Sequence, residues 1–225
     1  MVKVLTLINR KAGMPVHEFQ EYWRTRHPLV VTRLPGIRRY VQSHVLPETY
    51  AKREPVYDGI AEVWADDTDS LRAMTKSATH PDLIADEARF IDRTRMAIIV
   101  TDEHVAKDGP TEGVKAIELF TRKPDLAVEA FQQHWRGPHA ALASSIPGVR
   151  RYVVSATRPS AYAAGRTPAY DGAALMWFDS PEALKAAAGS PEYQALVADR
   201  ASFLAPGSPP FILTREHRIV QPVQP

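Results

Sequence analysis

The chain contains no cysteine. That excludes disulfides, thiolate nucleophiles and cysteine-ligated zinc or iron–sulfur centres. It also has little net charge, 28 basic against 26 acidic side chains for a formal +2. The arginines come in isolated pairs rather than a basic tract, so neither nucleic acid nor an anionic membrane is an expected partner. No apolar run approaches the roughly 20 residues of a membrane span. The opening MVKVLTLINRKAG alternates like a strand and lacks a signal-peptide cleavage pattern, so a cytoplasmic location is expected. Neither GxGxxG nor a P-loop is present to hold a nucleotide, no HxH or HExxH spacing points to a metal, and no GxSxG elbow points to a serine hydrolase. No cofactor and no metal are expected. With 44% hydrophobic and 24% charged residues, the 225-residue chain reads as an ordinary globular protein.

What the chain does contain is itself, twice. Phe19, Trp23, His27, Pro35, Gly36, Arg38, Arg39, Tyr40 and Val41 recur 112 positions later (131 − 19) as Phe131, Trp135, His139, Pro147, Gly148, Arg150, Arg151, Tyr152 and Val153. After one inserted residue, Tyr57, Asp58, Gly59 and Trp64 recur as Tyr170, Asp171, Gly172 and Trp177. Further on, ADEARF answers ADRASF, and Glu103-His104 answers Glu216-His217. Two copies of this size make a duplicated domain rather than a solenoid. The expected division is 1–106, a linker at 107–113, a second domain at 114–220 and a loose tail at 221–225.

Within each copy the hydrophobic period changes in a fixed order. VKVLTLI and VKAIELF alternate as strands. PVHEFQEYWRTRH places Val16, Phe19, Trp23 and His27 on one helical face, and Pro28 or Pro138 should break the helix near its end. A Pro-Gly turn leads to the strands IRRYVQSHV and VRRYVVSAT, then YDGIAEVWA and YDGAALMWF, a second helical region and a fourth strand. The order β-α-β-β-α-β is the ferredoxin-like split unit, and the fold class is α+β. Each unit carries helices on one sheet face only. The expected architecture is therefore two ferredoxin-like domains packed sheet-to-sheet as an intrachain dimeric α/β barrel.

Alternation also sorts side chains by face. Gly59, Ala61 and Val63 are expected under the helices, with Glu62 and Trp64 on the other face. Tyr40, Gln42 and His44 of the second strand are expected to join Glu62 there, opposite Tyr152, Trp177 and Glu118. A histidine beside a carboxylate is an acid–base pair. A satisfied polar network between sheets is the competing reading of the same residues. His27 and His139 also carry two readings: lining a pocket between helix and sheet, or bonding the carbonyls that the following proline frees. Asp58 and Asp171 suit turn hydrogen bonding.

The F-x-x-YW-x-x-x-H helix, the LPG-x-RRY turn and strand, and the YDG-x-A-x-x-W strand together resemble the EthD domain, a member of the dimeric α/β-barrel superfamily. The resemblance covers both copies nearly end to end. It implies that the motif histidine belongs to the site. It also implies small-molecule chemistry, since relatives include cofactor-free decarboxylases and dehydratases, and the superfamily adds monooxygenases, isomerases and heme-dependent enzymes. The expectation is a cofactor-free lyase or isomerase acting on a hydrophobic or aromatic substrate. His27, His139, Tyr40, His44 and Glu62 are its candidate catalytic residues; Trp23, Gln42, Trp64, Glu118, Trp135, Tyr152 and Trp177 are its candidate substrate-binding ones. A cofactor-independent monooxygenase, or a non-catalytic ligand-binding accessory of an oxidative system, is the alternative. Association of two tandem chains as a homodimer is left open.

Overall fold

A computed structural model describes residues 1–221, so most of the expected C-terminal tail at 221–225 lies outside the described residues. The chain forms two compact units, Met1–Val100 with Arg215–Pro225, and Thr101–Thr214. Each is α+β, but the division differs from the expected 1–106 and 114–220: residues 101–106 fall with the second unit and 215–220 with the first, because β4 and β8 are each long enough to serve both.

In the first unit, β1 (Val2–Ile8) leads to α1 (Val16–Thr25), the short α2 (Pro28–Val31), β2 (Arg39–Val45), α3 (Pro47–Tyr50), β3 (Gly59–Ala65), α4 (Thr68–Lys76), α5 (His80–Phe90) and the start of β4 (Ala97–Lys107). Its strands run β4-β1-β3-β2-β8, the last being the closing residues of β8 (Phe211–Val220). In the second unit, the end of β4 is followed by β5 (Val114–Phe120), α6 (Val128–His134), a π-helical turn (Trp135–His139), α7 (Ala140–Ser145), β6 (Arg151–Thr157), β7 (Gly172–Phe178), α8 (Pro181–Ala188), α9 (Pro191–Phe203) and the start of β8. Its order is β8-β5-β7-β6-β4, with Lys115–Glu118 of β5 on Phe211–Thr214 of β8.

Local chemistry explains these elements. The expected second helical region is two helices in each copy, and α4, α8 and α9 are each started by a capping side chain. Asp67 accepts from the Ser70 N–H at 2.8 Å, and Ser180 and Ser190 cap α8 and α9 in the same way. The Pro-Gly turns place Gly36 and Gly148 at φ +80, a conformation glycine adopts without strain. Gly59 serves a different purpose. A Cβ there would stand 2.7 Å from the Ser43 carbonyl oxygen and closer still to the Trp23 ring, so the glycine lets the motif tryptophan lie on the sheet.

The prolines shape the helix that carries the motif. Because Pro28 and Pro138 have no N–H, the chain widens just before them. The His27 N–H reaches Tyr22 O at 3.1 Å, a five-residue step, and residues 135–139 form a full π turn. Such wide turns commonly mark functional positions.

One expectation is corrected by the strand register. Tyr40, Gln42 and His44 pair with Val63, Ala61 and Gly59, whereas Val41 and Ser43 pair with Glu62 and Ile60. Tyr40, Gln42 and His44 therefore lie on the helix side, and Glu62 lies on the opposite face. Tyr152 follows the same rule, opposite Met176. Glu118 pairs with Ala174 and also faces the helices. β2 is buried on both faces beyond Arg39, so its polarity alternation could not reveal which set points where.

Candidate functional site

The first unit holds a cavity of about 410 Å³ between its helices and its sheet, a size ordinary for small-molecule sites. The walls are mainly apolar, from Val4, Ile8, Val63, Leu71, Met74 and Met96 among others. The polar groups reaching it include Thr6, His27, Tyr40, His80, Glu87 and Arg93. The cavity separates two packed clusters, one built on Phe19, Trp23 and Phe90, the other on Val2, Ala65 and Met74.

His27 is the best-placed acid–base group. Its Nδ1 lies 2.7 Å from Asp86 Oδ2, and Tyr22 Oη donates to Asp86 Oδ1 at 2.7 Å. Burial pushes the Asp86 carboxyl up, but the hydrogen bonds from His27 and Tyr22 prevail and hold it below the usual carboxylate range. With Nδ1 donating to a carboxylate, Nε2 is the ring's acceptor, and the tautomer is set by that contact. The alternative in which His27 bonds freed carbonyls is replaced by this His–Asp pair. Phe90 packs 5.0 Å from the imidazole and fixes its plane. Beside it, burial raises the pKa of Glu87 against the pull of Arg93, whose Nε is 3.4 Å away.

Tyr40 enters the same cavity from the sheet. Gln42 Nε2 donates to Tyr40 Oη at 2.8 Å and to the Trp23 carbonyl at 2.7 Å. Behind it, His44 Nε2 lies 3.1 Å from Gln42 Oε1, and the His44 ring stacks on Trp23 at 4.1 Å. Burial lowers the His44 pKa to about 2, with the neighbouring His217 adding to the effect, so His44 is a neutral donor and not a proton shuttle. Burial also pushes the Tyr40 hydroxyl well above its ordinary range, which keeps it protonated.

The second unit repeats the frame with different side chains beside it. His139 Nδ1 lies 2.8 Å from Asp199 Oδ2, and His134, in the place of Tyr22, lies 3.0 Å from the same carboxylate. Glu118 stands where the first unit has Thr6, and Arg200 where it has Glu87. Arg200 Nη2 grips both Glu118 oxygens at 2.7 Å. Burial pushes the Glu118 carboxyl up, and Arg200 pulls against it. Phe120, Met176 and Phe211 replace Ile8, Val63 and Ile98. His139 is 1% exposed against 5% for His27, and burial lowers its pKa to about 4 although Asp199 works the other way.

The EthD domain matches residues 11–94 and again 123–207. The chain belongs to the EthD domain family. No curated protein matches it at the same stringency. Among solved structures, an anthrone oxidase-like protein superposes with a TM-score of 0.67 at 13% identity, covering 99% of this chain and 94% of the other. A proposed monooxygenase of Lactobacillus acidophilus gives 0.53 at 11% identity, covering 97% and 93%. A proposed chlorite dismutase gives 0.57 at 12% identity, covering 97% and 95%. At these identities the likeness is one of fold.

The EthD frame brings together His27, Tyr40 and Trp23 in the first copy's cavity, with Gln42 and His44 as backing. It separates Glu62, which is held by Lys3 Nζ at 2.7 Å and by Ser43 Oγ at 3.1 Å on the opposite face. Trp64 and Trp177 lie on that face too, under Lys3 and Arg39 and under Lys115 and Arg151 respectively. Trp135 donates to Tyr152 Oη at 2.9 Å. Asp58 and Asp171 have the expected turn role, accepting from the backbone N–H groups of Arg10 and Arg122 and from Tyr50 and Tyr162.

Sequence reasoning missed Asp86 and Asp199, the partners of both histidines. The signal was in ADEARF and ADRASF, where an aspartate survives duplication on a helix face that is otherwise apolar. It also missed the exchange of Thr6 and Glu87 for Glu118 and Arg200, which is legible as a paired change between copies. Among the described residues, no group of three or more histidine, aspartate or glutamate side chains is placed to hold a metal. No helix among them is long and apolar enough to cross a membrane.

Proposed function

We propose that the first EthD copy is an enzyme site that abstracts a proton from a hydrophobic small molecule bearing a carbonyl or phenolic oxygen. The observation that carries this reading is the His27–Asp86 pair opening onto an apolar cavity that Tyr40 also reaches. His27 Nε2 accepts the proton from an acidic C–H or O–H. The electron pair moves onto the substrate oxygen, where the Tyr40 O–H meets it. Asp86 stabilises the resulting imidazolium, a general-base arrangement worth typically ~10²–10⁴ in rate. The apolar walls exclude water and strengthen each of these interactions.

The carbanion then has two outcomes. Reprotonation at another atom makes the protein an isomerase; expulsion of a β-hydroxide, which leaves as water with the proton held on His27, makes it a lyase. Capture of dioxygen makes it an oxygenase. For an activated methylene the balanced reaction is CH2 + O2 → C=O + H2O. The whole-chain fold likeness to an anthrone oxidase-like protein and to a proposed monooxygenase favours the oxygenase outcome.

The test is turnover of anthrone-type, phenolic and keto-acid compounds by purified, metal-free protein, followed by product analysis and an oxygen electrode. Product with oxygen uptake selects the oxygenase, and product without it the lyase or isomerase. Ligand binding without any turnover across the panel would replace the enzyme reading with an accessory binding role.

A further inference from the structure

Gln42 is the residue in which the two copies differ most directly behind the tyrosine. Its amide orientation is fixed by its neighbours. The Trp23 carbonyl, 2.7 Å from one end, can only accept, so that end is the NH2 group. The same NH2 donates to Tyr40 Oη at 2.8 Å, while the amide oxygen faces His44 Nε2 at 3.1 Å. The Tyr40 oxygen is therefore an acceptor on its Gln42 side, and its own proton must point elsewhere. Tyr40 lines the cavity that holds His27, and that is where a donor is left to act.

The second copy solves the same problem differently. There Val154 and Ala156 stand in place of Gln42 and His44, and the Trp135 indole N–H makes the hydrogen bond to Tyr152 Oη at 2.9 Å. In the first copy Gln42 has taken that place. The Trp23 indole still draws the Tyr40 pKa down but does not reach hydrogen-bond geometry, and its N–H has no partner.

We propose that Gln42 is a positioning residue that turns the Tyr40 O–H into the cavity and so selects substrates bound through an anionic oxygen, a phenolate or enolate. This deepens the proposed function and rests on its reading of the first copy as the working site. Burial keeps the Tyr40 hydroxyl protonated, as a donor to an oxyanion must be. A neutral donor in a dry cavity stabilises an anionic oxygen more than a neutral one, because charge-assisted hydrogen bonds are roughly twice as strong.

The probe is 4-nitrophenol, whose phenolate is read directly by its visible absorbance. Wild-type protein is expected to bind the phenolate about 10-fold more tightly than the phenol, a shift of about one unit in the apparent pKa of the bound probe. Tyr40→Phe and Gln42→Val are each expected to abolish that preference while binding of the neutral probe changes only a few-fold. Gln42→Met, close in volume but without a donor, repeats the test where Gln42→Val folds poorly, with urea unfolding as the check. With a turned-over substrate, the same variants lower kcat and leave KM nearly unchanged. Trp135→Phe leaves the bound spectrum as in wild type. A phenolate preference that survives in Gln42→Val and Gln42→Met overturns the inference. Binding of neutral phenol alone by an enzyme that still turns over its substrate overturns it too, and leaves the proposed function standing. Wild-type protein that binds neither form overturns both.

Discussion

The two EthD copies keep the same skeleton around the motif histidine and surround it with different side chains. In each, a histidine four residues after a tryptophan meets an aspartate from the helix before the last strand, at 2.7 Å in the first copy and 2.8 Å in the second. In each, the tryptophan ring rests on a glycine of the YDG motif. The space beside this frame is what differs. The first copy has Thr6 and Glu87 lining an open cavity, and the second has Glu118 and Arg200 gripping one another in its place. Duplication thus kept one His–Asp frame in both copies and changed the side chains beside it, with a cavity described next to the first. On the proposed reading, that cavity is what lets the first pair act on a substrate.

The largest expected effect comes from the paired substitutions His27→Ala and His139→Ala. The first should lower kcat/KM by ~10²–10⁴. The second should leave turnover within a few-fold and lower the thermal midpoint. Equal losses of turnover in the two variants would mean that both copies work. A second experiment transplants the filling. Thr6→Glu combined with Glu87→Arg places the second copy's ion pair in the first copy's cavity. Ligand binding by calorimetry and turnover should both fall by at least about 100-fold, with the fold retained by circular dichroism.

Acid sensitivity sharpens the comparison next. His139 has its pKa lowered by burial from 6.5 to about 4. Between those values the unfolded chain takes up a proton that the folded chain does not, so stability falls as pH drops through that window. The loss from this residue is at most about 3 kcal/mol. His44, lowered to about 2, acts in the same direction. The diagnostic quantity is therefore the difference in urea unfolding between wild type and His139→Phe from pH 7 to pH 4, and the variant should show the shallower slope. The smallest effect should come from the RRY motif. Arg38 donates to Asp66 at 3.0 Å with its side chain 56% exposed, and Arg150 contacts Asp179. Arg38→Ala and Arg150→Ala should each leave the thermal midpoint and turnover nearly unchanged, which would assign the first arginine of each pair to the surface.

Much of this was legible in the chain itself. Ordered matches from Phe19 to Trp64 and from Phe131 to Trp177 define the duplicated βαββαβ units, because hydrophobic period and turn chemistry agree in both copies. His27, Trp23 and Tyr40 were legible as site candidates from the same repetition. Their grouping was not. A strand buried on both faces hides its own parity, so Glu62 was placed with Tyr40 although Val41 is its neighbour in register. Trp64 and Trp177, expected with Glu62 on the face away from the helices, do lie there, but under Lys3 and Arg39 and under Lys115 and Arg151 rather than on the first unit's cavity. Asp86 stayed hidden because an acidic residue on a helix ordinarily faces water, and only tertiary packing turns it toward His27.

The first unit's sheet has one further consequence. It is completed by residues 215–220, the final stretch of β8, which are made only after the whole of Thr101–Thr214. The half of the chain that carries the open cavity therefore cannot finish folding as it emerges, although it is synthesised first. Its β2 edge must stay uncovered until residues 215–220 have been made. A chain stopped before Arg215 would lack the strand that completes the first unit's sheet while keeping all of Thr101–Thr214.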